Sequence, residues 1–447
     1  MSLPPIFAAS ALYDSLLQAA LRQFFGRATF ETEPIPSQSS DGRLSIEPTS
    51  DPSALSIRWF GMRYVLHVPA RRPFTQHEVR LARAIGSVLA MRYRAIFDPK
   101  QMLERGELFR GAIEDRYVGA FLDDVAYGDS KQTRADLVAT AIEVLRVAAL
   151  SSYENRSISS GVLLLEGDTD PIRANTVAPA HEYKYTQALT GIKSFYRLCD
   201  GLHTLFLVNR SGSVLDIVEV LRYARPAKLQ VLCSRAYHAH ALATAGTRNI
   251  CVVLSPSHEI KIFADGVQTF SFRNARWHLL DIEAKYEMWA ETVGNAALAK
   301  RLFQTALDLA DAREGALFVV LRTTDSLSQL VAPGDQLDTM RLSGSDVPMR
   351  AQLMHMLRGK SVTELDPAVL GGLARTDGAT VMDASGRLLA VGAILLHTEP
   401  PEPHSNLVVE GARTTAAMAA GRYGAVLKVS EDGLITFYDQ QERIWDI

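Results

Sequence analysis

Apolar residues along this chain follow two rhythms, a helical spacing and short unbroken runs, and their alternation lays out an α/β protein. Tyr13 to Phe25 has the spacing of a short helix, the Pro-, Ser- and Asp-rich stretch Glu33 to Ala54 reads as a loop, and Leu55 to Val68 reads as a strand pair. Thr75 followed three residues later by Glu78 forms a capping box. Behind it Val79, Leu81, Ala82, Ile85, Val88 and Leu89 recur at helical spacing, so a long helix runs from there to about Phe97. A polar connector, Asp98 to Arg110, leads to a helix over Ala135 to Leu150. Strands are expected at Gly161 to Leu165, Thr204 to Asn209, Val214 to Val218, Leu229 to Cys233, Ile250 to Leu254 and Ile260 to Phe263. The theme then repeats: helix Ala297 to Ala312, strand Ala316 to Arg322, helix Pro348 to Leu357, and strands Ala379 to Asp383 and Leu388 to Leu395. Helix Ala412 to Ala420 and strands Ala425 to Ser430 and Leu434 to Tyr438 complete it. Such alternation predicts mixed sheets covered by helices.

Three modules follow: a small α/β unit over residues 1–98, a middle α/β module over 111–275 and a last one over 280–447. The first resembles GAF or PAS sensor modules in its order of elements, an order that serves ligand binding and plain structural packing equally. The other two echo each other. The stretch "AYHAHALATAGTRNICVVLSPSHEIKIF" from Ala236 lies without a gap over "GARTTAAMAAGRYGAVLKVSEDGLITFY" from Gly411, placing Ala241 on Ala416, Gly246 on Gly421 and Ser255 on Ser430. "DGLHTLFLVNRSGSVLDIV" from Asp200 likewise echoes "DGATVMDASGRLLAVGAIL" from Asp377. The spacing reads as a duplicated unit, although any helix followed by two strands shares part of it.

Composition narrows the partners. Charges nearly cancel at a formal net of -3, so nucleic-acid wrapping is not expected and a phosphate ligand would be held by local residues. No run of about 18 apolar residues occurs and no basic segment precedes the first apolar stretch, which predicts a cytoplasmic protein outside the membrane. Cys199, Cys233 and Cys251 lack metal-ligand spacing and sit in apolar runs, as buried reduced thiols would.

Chemistry concentrates in three segments of the last module: "GALFVVLR" from Gly315, "LARTDGATVMDASGRLLAVGAIL" from Leu373, and "GARTTAAMAAGRYGAVLKVSEDG" from Gly411. In order and spacing they resemble the diadenylate cyclase domain, also found in DNA-integrity scanning proteins, whose pattern is a Gly-Ala-Leu strand, an Asp-Gly-Ala signature, and a Gly-Thr-Arg-His-Arg-Ala-Ala signature before a Ser-Glu strand end. The resemblance implies that two ATP molecules are joined into cyclic di-AMP with release of two pyrophosphates. It further implies Mg²⁺ or Mn²⁺ as cofactor and a homodimer or larger symmetric homo-oligomer, because one site cannot supply both attacking hydroxyls and both α-phosphates. It assigns Asp377 and Arg413 to catalysis and Asp377 with Glu431 to the metal. Gly378, Ala379, Gly411, Arg413, Thr414, Thr415 and Ser430 are assigned to the nucleotide. Asp377 supplies a carboxylate, Gly378 allows close backbone approach, and Arg413 offers a forked guanidinium at a helix start, where unpaired N–H groups also favour anions.

Taken singly, each motif has an ordinary structural reading. Asp-Gly-Ala suits a helix-to-strand turn, "GARTTAA" an alanine-rich helix start, and Glu431-Asp432-Gly433 a hairpin turn. One departure bears on activity: Arg413-Thr414-Thr415 stands where the family has Arg-His-Arg, so two cations are replaced. Arg375, Arg387 and Arg422 are candidates to compensate, or are solvated surface charges. The middle module departs further, with His238 where the last has Arg413 and Pro256 where it has Glu431. It reads as a degenerate, non-catalytic copy, with His238 and His240 ordinary helix residues. Three functions stay open at this level: a regulated cyclase, a catalytically inactive nucleotide sensor, and a structural interaction module.

Overall fold

The first strands form one antiparallel sheet. The computed structural model describes residues 5–396 and 411–447, apart from 27, 35–43, 69–72, 124–133, 154–155, 173–182, 193–197, 226–230, 340–351 and 353. Strands β1 (Thr29–Pro34), β2 (Ser45–Pro48), β3 (Ala54–Trp59) and β4 (Met62–His67) take the order β1-β4-β3-β2. The stretch expected as loop thus contains β2, whose one buried apolar side chain, Ile46, gives too weak a pattern to read. The Gln76–Phe97 helix starts as its sequence dictates: Thr75 Oγ1 accepts from the Glu78 amide at 3.1 Å, and the Glu78 carboxylate accepts from the Thr75 amide at 3.0 Å.

The polar connector forms helical turns at Pro99–Glu104 and Gly106–Phe109, and an unforeseen helix, Ile113–Leu122, follows. Its buried Asp115 accepts from Arg146 Nη2 at 2.7 Å and from Trp277 Nε1 at 2.8 Å. These bonds bind the Ile113–Leu122 helix to the Arg134–Ala149 helix and to a distant strand.

After the antiparallel pair β5 (Ser152–Tyr153) and β6 (Arg156–Ser157), the middle sheet comprises seven strands among the described residues. They are β7 (Ser160–Leu164), β8 (Thr204–Val208), β9 (Val214–Glu219), β10 (Ile250–Leu254), β11 (Ile260–Ala264), β12 (Val267–Arg273) and β13 (Arg276–Leu279), ordered β13-β12-β11-β10-β7-β8-β9. Only β7 and β8 are parallel. β12 and β13 went unrecognised because polar residues interrupt them. Of the strand expected at Leu229 to Cys233, two residues lie outside the described ones; Leu232 and Cys233 are buried but not in a strand. One continuous core joins the first and middle modules, from Tyr13 and Trp59 through Leu89 and Tyr117 to Phe206, Ile262 and Trp277.

The chain divides into two compact units, Met1–Val231 with Tyr237–Leu280, and Leu232–Ala236 with Asp281–Ile447. The second holds β14 (Ala316–Leu321), β15 (Ala379–Asp383), β16 (Leu388–Ala393), β17 (Gly424–Val429), β18 (Ile435–Asp439) and β19 (Glu442–Asp446), ordered β16-β15-β14-β17-β18-β19. Only β14 and β15 are parallel. Of the helix expected over Pro348 to Leu357, half lies outside the described residues; Gln352, Met354 and His355 are helical and Met356 and Leu357 form a turn.

Both large sheets have the same construction. From β9 to β12 and from β16 to β19 the strands follow the same order, with the parallel pair in the same place. The shift that carries Ala236 to Gly411 also carries the His238–Thr244 helix into Ala412–Gly421, β10 into β17 and β11 onto β18. The echo first seen in the amino-acid sequence is therefore a repeat of topology.

Candidate active site

Strand direction decides where the motifs of the last module meet. β14 and β15 run parallel, with Phe318 beside Thr380, while β17 runs against β14, with Ala316 opposite Val429. The starts of β14 and β15 and the end of β17 therefore share one end of the sheet. Gly315, Gly378 and Ser430 stand there, immediately outside the strands. The Ala412–Gly421 helix leads back to the start of β17, so its first turn overlies the same end.

Arg413 is seated by what Gly315 lacks. A Cβ at Gly315 would lie 2.0 Å from Arg413 Nη1, so the guanidinium rests directly on that backbone. From there Nη1 donates to Glu431 Oε1 at 2.9 Å. With side chains 41% and 73% exposed, this pair positions two groups without adding much stability. Glu431 follows β17 in a hairpin turn, where the Gly433 amide donates to the Ser430 carbonyl at 2.9 Å. The turn expected at Glu431-Asp432-Gly433 thus serves to hold Glu431 against Arg413.

Beside Arg413, Thr414 Oγ1 accepts from Lys428 Nζ at 2.8 Å. Lys428, on β17, was not singled out from the sequence. A lone lysine in the buried run "GAVLKV" was the available signal. The amides of Thr414 and Thr415 both turn to the Gly411 carbonyl, and Gly411, the helix N-cap, offers no side-chain cap to the first turn.

Asp377 is exposed after the Pro367–Ala374 helix, and among the described residues no hydrogen bond or ion pair engages its side chain. Gly378 has φ +104, and a Cβ there would meet the Ala393 carbonyl oxygen at 2.6 Å. Its freedom is therefore spent on backbone packing against β16. Ala379 is 1% exposed within the core, so it contributes backbone but not its methyl to that end of the sheet.

Of the three arginines considered as compensating cations, only Arg375 lies at this end, with Nε 2.5 Å from Glu314 Oε2 but not aligned as a hydrogen bond. Arg387 precedes β16, which runs against β15, and pairs with Asp338 at the opposite end. Arg422 closes the Ala412–Gly421 helix, also at that opposite end.

Among the described residues no group of three or more His, Cys, Asp or Glu gathers to hold a metal. Asp377 and Glu431, the two carboxylates assigned to a metal, are both exposed at this end of the sheet. Replacing Gly315 with Ala is expected to push the Arg413 side chain off its seat. Because the obstacle is a flexible side-chain tip, stability should change by less than about 1 kcal/mol while phosphate binding falls roughly tenfold. Thermal unfolding and nucleotide titration of the variant would check both.

The middle copy treats the same positions differently. Asp200 accepts hydrogen bonds from the amides of Leu202, His203 and Thr204 at 2.9, 2.7 and 2.9 Å, and His203 Nδ1 lies 2.8 Å from its other oxygen. Partial burial opposes ionisation, but these bonds outweigh it and hold the carboxyl well below the usual range. This aspartate caps its own turn. His238 is exposed, whereas His240 is buried, with Nε2 2.9 Å from the Gly201 carbonyl. That geometry makes Nε2 the donor and leaves Nδ1 buried without a hydrogen-bond partner.

Burial pushes the His240 pKa down to about 4. The unfolded chain would take up a proton below about pH 6.5 while the folded one does not. Stability is thus full above that value and is lost as pH falls toward 4, by at most roughly 1.4 kcal/mol per pH unit. Chemical unfolding of wild type and His240→Gln between pH 7 and pH 4.5 should show a smaller acid loss in the variant. Cys199, Cys233 and Cys251 are buried, as their contexts predict, and form no disulfide among the described residues. No helix among the described residues is long and apolar enough to cross a membrane.

No family model and no curated protein matches the chain. Among solved structures it is similar to a double mutant of DacA from Staphylococcus aureus, at 18% identity and TM-score 0.23, covering 34% of this chain and 86% of that one. It is also similar to a hypothetical membrane spanning protein from Bacillus cereus, at 16% identity and TM-score 0.23, covering 37% of this chain and 79% of that one.

Proposed function

We propose that the unit containing Asp281–Ile447 is a diadenylate cyclase, joining two ATP into cyclic di-AMP and two pyrophosphates. One observation carries this reading: motifs as far apart in sequence as Gly315 and Glu431 come to a single sheet end. There Arg413 touches both Gly315 and Glu431, and the Asp377 carboxylate is exposed and unengaged among the described residues. In each half-reaction the 3′-oxygen of one ATP bonds to the α-phosphorus of the other, the bond from that phosphorus to the bridging oxygen breaks, pyrophosphate leaves, and the hydroxyl proton passes to solvent.

Arg413 would leave Glu431 for the phosphate oxygens, where its fork offsets the charge of the transferring group. The first turn of the Ala412–Gly421 helix adds its positive end beside it. Asp377 and Glu431 would hold Mg²⁺ or Mn²⁺, which when bound supplies a lowered hydroxyl pKa and further charge neutralisation. Two such units must face each other for both bonds to form, so activity requires a homodimer or larger symmetric assembly. The middle module, its aspartate committed to its own turn, would be a non-catalytic partner within the chain.

Mass spectrometry after incubating the purified chain with ATP and either metal tests this reading directly. Cyclic di-AMP with stoichiometric pyrophosphate is the expected product. The Arg413–Glu431 ion pair favours a second reading, an inactive nucleotide sensor in which the acid and the cation hold each other. Measurable ATP binding with no product under both metals, in a protein shown to be dimeric, would select it.

A further inference from the structure

Four contacts hang the candidate site from the end of the Ala296–Asp311 helix. A Cβ at Gly433 would lie 3.1 Å from the Ala310 carbonyl oxygen, so the hairpin that presents Glu431 crosses directly over the last helical turn. Within that hairpin the Asp432 carbonyl accepts from Arg313 Nη1. Glu314 pairs with Arg375, and Gly315 is the seat of Arg413. Where this turn goes, Arg413 and Glu431 go with it.

The turn is built at a steric cost. The Arg313 amide donates to the Ala310 carbonyl at 3.2 Å and the Glu314 amide to the Leu309 carbonyl at 2.9 Å, the paired bonds that end a helix on a left-handed residue. That residue is usually glycine, yet here it is Arg313 at φ +59. A side chain is kept at a position that disfavours one, and it is the side chain that reaches Asp432.

The same end of the helix is grasped by a segment remote in sequence. Leu232–Ala236 belongs to this compact unit, although the residues before and after it in the chain belong to the other. Leu232, Cys233 and Ser234 are buried. The Cys233 carbonyl accepts from Gln304 Nε2 at 2.8 Å, and Ser234 Oγ donates to Asp311 Oδ2 at 3.1 Å. The Arg235 amide donates to Asp308 Oδ1 at 2.8 Å, with Arg235 Nε 3.2 Å from Asp308 Oδ2. Positions 304, 308 and 311 have the i, i+4, i+7 spacing of one helix face, so three consecutive residues are bonded along the final turns. Two aspartates at the negative end of a helix that has no basic residue in its last turn are unfavourable by themselves. Their bonds to this segment account for their presence.

Building on the nucleotide reading above, we propose that Cys233–Arg235 is a positioning strap for that site. Bonded to Gln304, Asp308 and Asp311, it fixes the turn that carries Arg313, Glu314 and Gly315, and through them it sets where Arg413 and Glu431 stand. The strap lies in the chain of the middle module, just ahead of the His238–Thr244 helix, so a change of state in that module has a covalent route to the phosphate-binding groups.

Asp308→Ala cuts the strap without altering a residue of the site. Hydrogen exchange of the full chain should show the Gly433 amide, bonded to the Ser430 carbonyl in the Glu431 hairpin, losing protection about fivefold or more. Calorimetric titration should show ATP binding weakened to a similar degree with adenosine binding unchanged. Asp308→Asn, which keeps an acceptor for the Arg235 amide, should recover most of both effects. Where Asp308→Ala fails to fold, Ser234→Ala, which removes the bond to Asp311, should move both readouts in the same direction. Unchanged protection at Gly433, or unchanged ATP affinity, would overturn the strap while leaving the nucleotide reading standing. So would equal losses for ATP and adenosine with protection lowered evenly across β14, β17 and β18, the signature of a unit loosened as a whole. Protection lost at Gly433 in a chain whose wild type binds neither ATP nor adenosine would keep the strap as the support of this turn and overturn the nucleotide reading instead.

Discussion

Asp377→Asn is expected to reduce cyclic di-AMP formation below about one-hundredth of wild type, the scale on which loss of a single transition-state charge contact is felt. The fold should not notice. Asp377 is exposed between a helix and β15, and among the described residues its carboxylate has no hydrogen-bond or ion-pair partner to lose. Asparagine has nearly the same shape and suits the same turn, so the change in stability should stay within about 0.5 kcal/mol. What asparagine cannot do is present a charged oxygen to a divalent cation. Product quantification by mass spectrometry, alongside thermal unfolding of both proteins, separates the two effects. Turnover above roughly a tenth of wild type, little more than 1 kcal/mol of barrier, would take Asp377 out of the proposed machinery.

The sequence made some of this legible and hid the rest, for physical reasons. The capping box at Thr75 and Glu78 was readable because its chemistry is local, as were β14, β15 and β17, which are short apolar runs buried on both faces. The repeat could be read because helix, turn and two strands kept one spacing in both copies. β12 was missed because Gln268, Thr269, Ser271 and Arg273 are buried within the sheet, with Ser271 donating to Glu259, and a polar residue satisfied in this way looks solvent-facing; β13 was missed because it is short and has one buried residue, Trp277. At the candidate site, the order of the motifs was visible but their pairings were not. Arg413 and Glu431 were assigned to phosphate and metal, while the structure joins them to each other. Lys428 escaped notice because a single charge in a strand is normally the exposed half of an alternating pattern. Here β17 is covered on both faces, so the alternation carries no information about burial.

Gly378→Ala should produce the opposite result to Asp377→Asn, although the two residues are adjacent. Gly378 has φ +104, a conformation that L-residues rarely adopt, and the Cβ of alanine would lie 2.6 Å from both the Ala393 carbonyl oxygen and the Gly392 carbonyl carbon. Those atoms are backbone at the end of β16, held by the pairing of Ala379 with Ala393, so the clash cannot be relieved by rotating a side chain. Backbone strain and displacement of a buried strand together should cost about 3 kcal/mol or more, equivalent to roughly 6 °C or more in melting temperature for a unit of this size. Hydrogen exchange should show β15 and β16 losing protection first. Gly201 meets the same restriction in the middle copy, at φ +74 with a Cβ 2.5 Å from the Ser160 carbonyl oxygen. The glycine of the Asp-Gly pair is thus required by the fold in both copies, whether or not the aspartate beside it acts. If Gly378→Ala instead kept its stability and lost only ATP binding, the glycine would be making room for nucleotide, as its sequence context alone suggested. If it unfolds the sheet, Asp377 is the residue of the pair to which activity should be assigned.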